Sequence, residues 1–154
     1  MSSRVAIALG SNLGDRRAHL AFAVEHLAPH LTDLRVSSIL ETAPFEVPEP
    51  QPPYLNGAVA GETLLGPEAI LELLKHIEWA RGRRRPAPRA PRTLDLDLIL
   101  FGDRVIDTPE LQVPHPRFRS RVFVLEPLTE VAASWKDPVS GKTVAALLAD
   151  VRLS

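Results

Sequence analysis

Apolar positions along this chain fall into short runs separated by polar punctuation, and the spacing within each run names an element. Arg4 to Leu9 is a compact apolar run ended by Gly10-Ser11-Asn12, which predicts a short buried strand. Leu13, Leu20, Val24 and Leu27 lie near helical spacing, so a helix from about Leu13 to Ala28 is expected, capped by Asn12 and closed by Pro29. Leu34 to Thr42 and Tyr54 to Leu65 have the β-branched and apolar content of two more strands. Gly66-Pro67-Glu68 opens a second helix to about Arg81, with Ile70, Leu71, Leu74 and Ile77 as its stripe. Leu94 to Phe101 is a fourth strand, and Gly102-Asp103 predicts a hairpin turn into Val105 and Ile106.

The order strand, helix, strand, strand, helix, strand predicts an α+β fold. Its centre is a ferredoxin-like βαββαβ core, an antiparallel sheet flanked by helices on one face. The last third adds the hairpin, a helix around Phe123 to Ala132, turn chemistry at Asp137-Pro138 and Ser140-Gly141, and a short helix from Thr143. No repeat or linker divides residues 1–154, so a single domain is expected.

Two loops break the pattern. Ala43 to Pro53 holds Pro44, Pro48, Pro50, Pro52 and Pro53, which suits either a lid or a stiff spacer. Arg81 to Arg92 contains Arg81, Arg83, Arg84, Arg85, Arg89 and Arg92, a local basic concentration that the net charge of -1 conceals.

Composition removes several chemistries. The chain has no cysteine, which excludes disulfides, thiolate zinc sites and thiol catalysis. Val5 to Leu9 is too short for a signal-peptide core or a membrane span, so a cytoplasmic protein without membrane association is expected. Arginine far outnumbers lysine, Asn and Gln are scarce, and there are 15 prolines. Thermophilic origin and GC-rich coding would both produce that bias.

The most informative segment is Thr93-Leu94-Asp95-Leu96-Asp97-Leu98-Ile99-Leu100. Residues two apart on a strand share a face and sit ~6.5–7 Å apart, so Asp95 and Asp97 point the same way while Leu94, Leu96 and Leu98 face the core. Beyond them the acid face should turn apolar at Ile99 and Phe101. Two neighbouring carboxylates on a buried strand repel each other unless a cation joins them, and hard oxygen donors favour Mg2+. The acids could equally pair with the adjacent arginines as a structural ion network. An arginine loop beside a two-carboxylate metal site suits a polyphosphate, because guanidinium groups grip phosphate oxygens in a bidentate fork. A nucleic-acid-binding arm is the competing use of such a run, but no aromatic interleaving or second basic stripe accompanies it. Another Mg2+-dependent phosphotransferase or nuclease also remains open at this level.

Val113-Pro114-His115-Pro116-Arg117 holds a histidine in an extended loop with Arg119 and Arg121 close behind, where it could donate to a phosphate. Ser140-Gly141-Lys142-Thr143 ends like a phosphate-binding P-loop. Lys136 stands where that motif needs glycine, so a hairpin turn is the better expectation.

Together these segments resemble the hydroxymethyl-dihydropterin pyrophosphokinase family of folate biosynthesis. The likeness runs from Ala8-Leu9-Gly10-Ser11-Asn12-Leu13-Gly14 to the helix after Phe123. Pro91-Arg92-Thr93-Leu94-Asp95-Leu96-Asp97-Leu98-Ile99-Leu100-Phe101-Gly102 is its most specific part. Glu41-Thr42-Ala43-Pro44, Tyr54-Leu55-Asn56, Ile77-Glu78 with Gly82-Arg83, and Val113 to Arg117 support it in the right order.

The resemblance implies transfer of pyrophosphate from ATP to 6-hydroxymethyl-7,8-dihydropterin with release of AMP. It implies that Asp95 and Asp97 bind two Mg2+ ions, and that Arg83 and Arg92 stabilise the reacting phosphates. Arg85, His115 and Arg121 would contact ATP phosphates, with Lys75 and Glu78 on the nucleotide side. Thr42, Ala43, Pro44, Phe45, Tyr54, Asn56 and Phe123 would form the pterin site. The partners are then the small molecules ATP and a reduced pterin, with no nucleic acid and a monomer as the simplest state. Two positions depart from the family pattern. Ala43 stands where proline is common, and Pro88-Arg89-Ala90-Pro91-Arg92 lacks the aromatic often found before the acid pair, leaving Arg89 as a candidate stacking group.

Overall fold

A computed structural model describes residues 1–42, 53–82 and 93–153. Its main sheet is antiparallel throughout. Strands β1 (Ser3–Ser11), β2 (Thr32–Val36), β3 (Leu40–Thr42), β4 (Tyr54–Thr63) and β5 (Asp95–Phe101) take the order β2-β4-β1-β5, with β3 also paired to β4. Helices α1 (Arg16–Leu27) and α2 (Pro67–Ala80) connect β1 to β2 and β4 to β5. The expected second strand is therefore two pieces. Between them Ser37 Oγ accepts the Ala58 N–H (2.8 Å), while Ser38 donates its N–H and hydroxyl to Glu130 (2.8 and 2.7 Å). Serine side chains offer the backbone partners outside the ladder, and the strand breaks where they do so.

Helices cover both faces of the sheet, not one. Leu20, Ala23 and Leu27 of α1 and Ile70, Leu74 and Ile77 of α2 pack with Val5, Ile7, Leu9, Leu55 and Val59. On the other face, α3 (Val122–Ala132) and α4 (Val144–Leu153) bury Leu125, Leu128, Val144 and Leu147 against Ala6, Ala8, Ala58 and Ala60. Sheet residues toward α3 are mostly alanine, which allows close approach of the helix. Pro127 lies inside α3 and removes the N–H that would take the Phe123 carbonyl.

Three local expectations change. The α1 cap is Asp15, whose carboxylate accepts the Ala18 N–H (3.2 Å), and Leu13 lies exposed before the helix. Asn12 is fully buried instead. Ile106 does not return along β5. The strand β6 (Ile106–Asp107) pairs with β7 (Gln112–Val113) in a separate ribbon. Finally, Leu98 faces Ile7 across the ladder and Leu100 faces Ala6, so Ile99 is an extra residue in β5. Such a bulge inverts the alternation beyond it. Ile99 and Leu100 both join the α3 side, and Phe101 joins the α1/α2 side rather than the acid face.

At the C-terminal end, Lys136 pairs with Thr143 and the Asp137 N–H donates to the Lys142 carbonyl (2.9 Å). This is the hairpin turn expected of Ser140-Gly141-Lys142-Thr143. Thr143 Oγ1 then accepts the Ala146 N–H (3.1 Å) at the start of α4. No helix among the described residues is long and apolar enough to cross a membrane.

Candidate active site

Asp95 and Asp97 open β5, half-buried between buried Leu94, Leu96 and Leu98. The strand pairs with β1 on one side only, so its other edge needs cover. Glu78 supplies it: this buried α2 carboxylate accepts the Leu96 N–H at 2.8 Å. The bond falls between the two acids and fixes the backbone from which both project. Glu78, expected on the nucleotide side, thus anchors the acid strand, while Lys75 is exposed one turn earlier on α2.

Cross-strand register places the two halves of the predicted site side by side. Leu40, Asn56, Gly10 and Asp95 form one continuous row over β3, β4, β1 and β5. Residues directly opposite share a face, so Asn56 and Asp95 stand on the same side, about 10 Å apart across Gly10. Asp97 lies opposite Ala8 in the next same-face row. Asn56 is buried and donates from Nδ2 to Thr42 Oγ1 (2.8 Å), and Thr42 pairs with the half-buried Tyr54. A Cβ on Gly10 would stand 3.7 Å from Asn56 Oδ1 and 3.8 Å from Tyr54 Cδ1. Without one, the floor between amide and acids is bare backbone. The sequence signal was a glycine in a strand, which can mark a close ligand approach; it read instead as part of the turn after β1.

The His115 loop closes over the same end. His115 N–H donates to the Ile99 carbonyl (3.0 Å), at the β5 bulge. Burial pushes the imidazole pKa down to about 4, helped by the Arg121 and Arg117 charges and opposed by Asp95. His115 is therefore neutral at pH 7. Its Nδ1 accepts the Arg117 N–H (3.1 Å), which leaves the proton on Nε2. That tautomer makes Nε2 a hydrogen-bond donor. Arg121 precedes α3, its guanidinium 5.7 Å from the Phe123 ring, and Phe123 is 38% exposed.

The arginines do not act as one group. Arg81 donates from Nε to His19 Nδ1 (2.8 Å) and lies 4.7 Å over the Phe22 ring, so it secures the end of α2 to α1. Gly82 follows at φ 87°, a left-handed turn that ends the helix. Arg119 is tied to Asp137. Neither pairing was legible beforehand, because each joins residues far apart in the chain. Ala43, Pro44, Phe45, Arg83, Arg85, Arg89 and Arg92 lie outside the described residues.

The described part of the site thus joins an acid pair, a neutral histidine and an arginine to a small amide-lined recess on one sheet face. That combination suits a phosphate-handling enzyme of the α+β class. Residues 6–133 match the family described as 7,8-dihydro-6-hydroxymethylpterin-pyrophosphokinase. The 2-amino-4-hydroxy-6-hydroxymethyldihydropteridine pyrophosphokinase of Bacillus subtilis is 47% identical over 85% of this chain and 79% of its own length. That of Pseudomonas aeruginosa is 39% identical over 97% of this chain and 92% of its own. The chain belongs to the hydroxymethyl-dihydropterin pyrophosphokinase family. Its fold also matches the Plasmodium falciparum HPPK-DHPS structure solved with pterin and p-hydroxybenzoate, at TM-score 0.74 and 15% identity. The match covers 97% of this chain but only 42% of that longer one.

Proposed function

We infer that this chain transfers the terminal pyrophosphoryl group of ATP to the hydroxymethyl oxygen of 6-hydroxymethyl-7,8-dihydropterin. The row Asn56, Gly10, Asp95 carries this reading, because it sets a flat-ligand recess directly beside the phosphate-handling acids. Family membership and the names of the relatives support the same activity.

The reduced pterin lies over Gly10 with its polar edge toward Asn56 and Thr42, walled by Tyr54 and stacked on Phe123. By the family resemblance, Ala43, Pro44 and Phe45 contribute backbone contacts to the pterin. Where relatives often have a second aromatic, the Arg89 guanidinium plane stacks on the ring. If Arg89→Ala leaves pterin affinity and turnover unchanged, that last contact is wrong.

The donor set fits Mg2+: two hard carboxylates, Asp95 and Asp97, share one face of the strand. Asp95 and Asp97 would hold the metal, as two ions by the family resemblance. When bound, Mg2+ supplies neutralisation of triphosphate charge. His115 Nε2–H and Arg121 orient phosphate oxygens from the α3 side, and Arg83, Arg85 and Arg92 do so from the arginine loop. The pterin hydroxyl oxygen bonds to the β-phosphorus as its bond to the bridging α–β oxygen breaks, and AMP leaves. The hydroxyl proton is lost to solvent. A loose transition state depends on this positioning more than on early deprotonation.

Incubation with ATP, Mg2+ and the pterin should give pterin-dependent AMP. ADP, or no turnover, refutes the assignment. Asp95→Asn and Asp97→Asn should each lower turnover by roughly 100-fold or more with folding intact. Near-full activity in either would remove the metal site.

A further inference from the structure

The family match ends at residue 133, yet the segment beyond it reaches back to the phosphate side of the site. Asp137 is fully buried. Arg119 grips it at two points, Nε on Oδ2 and Nη2 on Oδ1 (2.8 Å). Val139 N–H donates to Oδ1 (3.0 Å), and Ser140 donates to Oδ2 from its N–H (3.3 Å) and its hydroxyl (2.7 Å). The carboxylate is saturated by donors from the 134–143 hairpin and from one outside residue, Arg119.

Arg119 occupies the short 3-10 turn Phe118–Ser120, between His115 and Arg121. Three anchors hold this turn. His115 N–H reaches the Ile99 carbonyl, Phe118 is completely buried under α3 and α4, and Arg119 is bound to Asp137. The first two fix the segment at its start and middle. The third ties the side facing Arg121 to the hairpin, while Arg121 donates its N–H to the Phe118 carbonyl (3.2 Å) and its own carbonyl receives the Val124 and Leu125 N–H groups (3.0 and 2.9 Å) to start α3.

We propose that the Arg119–Asp137 pair is a positioning strut that sets His115 and Arg121 for the triphosphate, making the hairpin after residue 133 part of the ATP site. The proposal rests on the ATP-site reading given above. Asp137 touches neither substrate. It acts through Arg119 on the loop, so its loss should affect ATP far more than the pterin, which binds on the Asn56 side.

The test uses the full chain with Asp137→Asn, and with Arg119→Lys as the milder variant that keeps the charge but loses the two-point grip. Binding of a non-hydrolysable ATP analogue with Mg2+, binding of 6-hydroxymethylpterin, and amide exchange of residues 115–121 are measured well below the melting temperature. Expected are an ATP-analogue affinity weakened about tenfold, pterin affinity within twofold of wild type, and faster exchange at His115 and Arg117 while β1 and β4 stay protected. Unchanged loop exchange and ATP-analogue affinity, with only the melting temperature lowered, would make the pair purely structural. Equal losses for both ligands would overturn the proposal as well. A wild-type chain that makes no AMP refutes the activity assignment instead, and loop exchange still decides whether the strut exists.

Discussion

Glu78 shows how little a residue's type says about its task until its partner is known. The family resemblance puts this carboxylate on the nucleotide side. Here it is buried and occupied by the Leu96 N–H, on the strand that bears both acids. Glu78→Gln keeps an acceptor in place and should stay near wild-type stability. Glu78→Ala strands a buried donor and should cost about 1–3 kcal/mol in urea denaturation. Equal losses in the two variants would show that charge, not the acceptor, is what matters there. His115 makes the complementary point. Its flanking prolines mark a histidine in an extended loop, but neutrality and tautomer come from burial and from the Arg117 N–H.

At the scale of elements, the alternation Leu94, Asp95, Leu96, Asp97, Leu98 needed no tertiary information, because a strand has a period of two. The parity held as far as Ile99 and failed at Phe101, where the bulge intervenes. Neither β1 nor β5 announces the extra residue, since a bulge is a property of a pair of strands. Deleting Ile99 removes the extra residue and leaves Leu100 opposite Ala6 and Phe101 opposite Val5, so both keep their faces, and the cost should be that of one lost buried side chain, about 2–5 kcal/mol in urea denaturation. A variant that no longer unfolds cooperatively would show that the bulge itself is required. The α1 cap is a nearer miss. Asn12 and Asp15 are both capping residues, and the choice went to Asp15 because Asn12 is buried at the end of the sheet. Asp15→Ala should lower stability by about 1 kcal/mol in the same denaturation experiment.

Across the described residues, two cores lie back to back on one sheet, and the site sits at the end where α3 begins. Phe118 is the largest fully buried side chain of the second core, so Phe118→Ala should destabilise the protein by about 3–5 kcal/mol in calorimetry. Acid stability depends on Asp137. Arg119, Ser140 and Val139 hold its carboxyl well below the usual carboxylate range despite its burial. A carboxyl depressed in the folded state stabilises above its unfolded pKa of about 3.9 and loses that contribution as pH falls below it. Asp137→Asn should therefore be less stable at pH 7 and show a flatter decline below about pH 4. A parallel decline in variant and wild type would rule out this linkage.

The sequence by itself determined the order of elements, the shared face of Asp95 and Asp97, and the family. These depend on local periodicity and on short contiguous motifs. Only the tertiary structure decided that helices cover both faces, that Gly10 forms the floor between Asn56 and Asp95, and that Arg119 belongs to Asp137 and Arg81 to His19. Each of those depends on strand register or on contacts between residues distant in the chain. Such pairings follow from how the whole chain packs, and no local spacing encodes them.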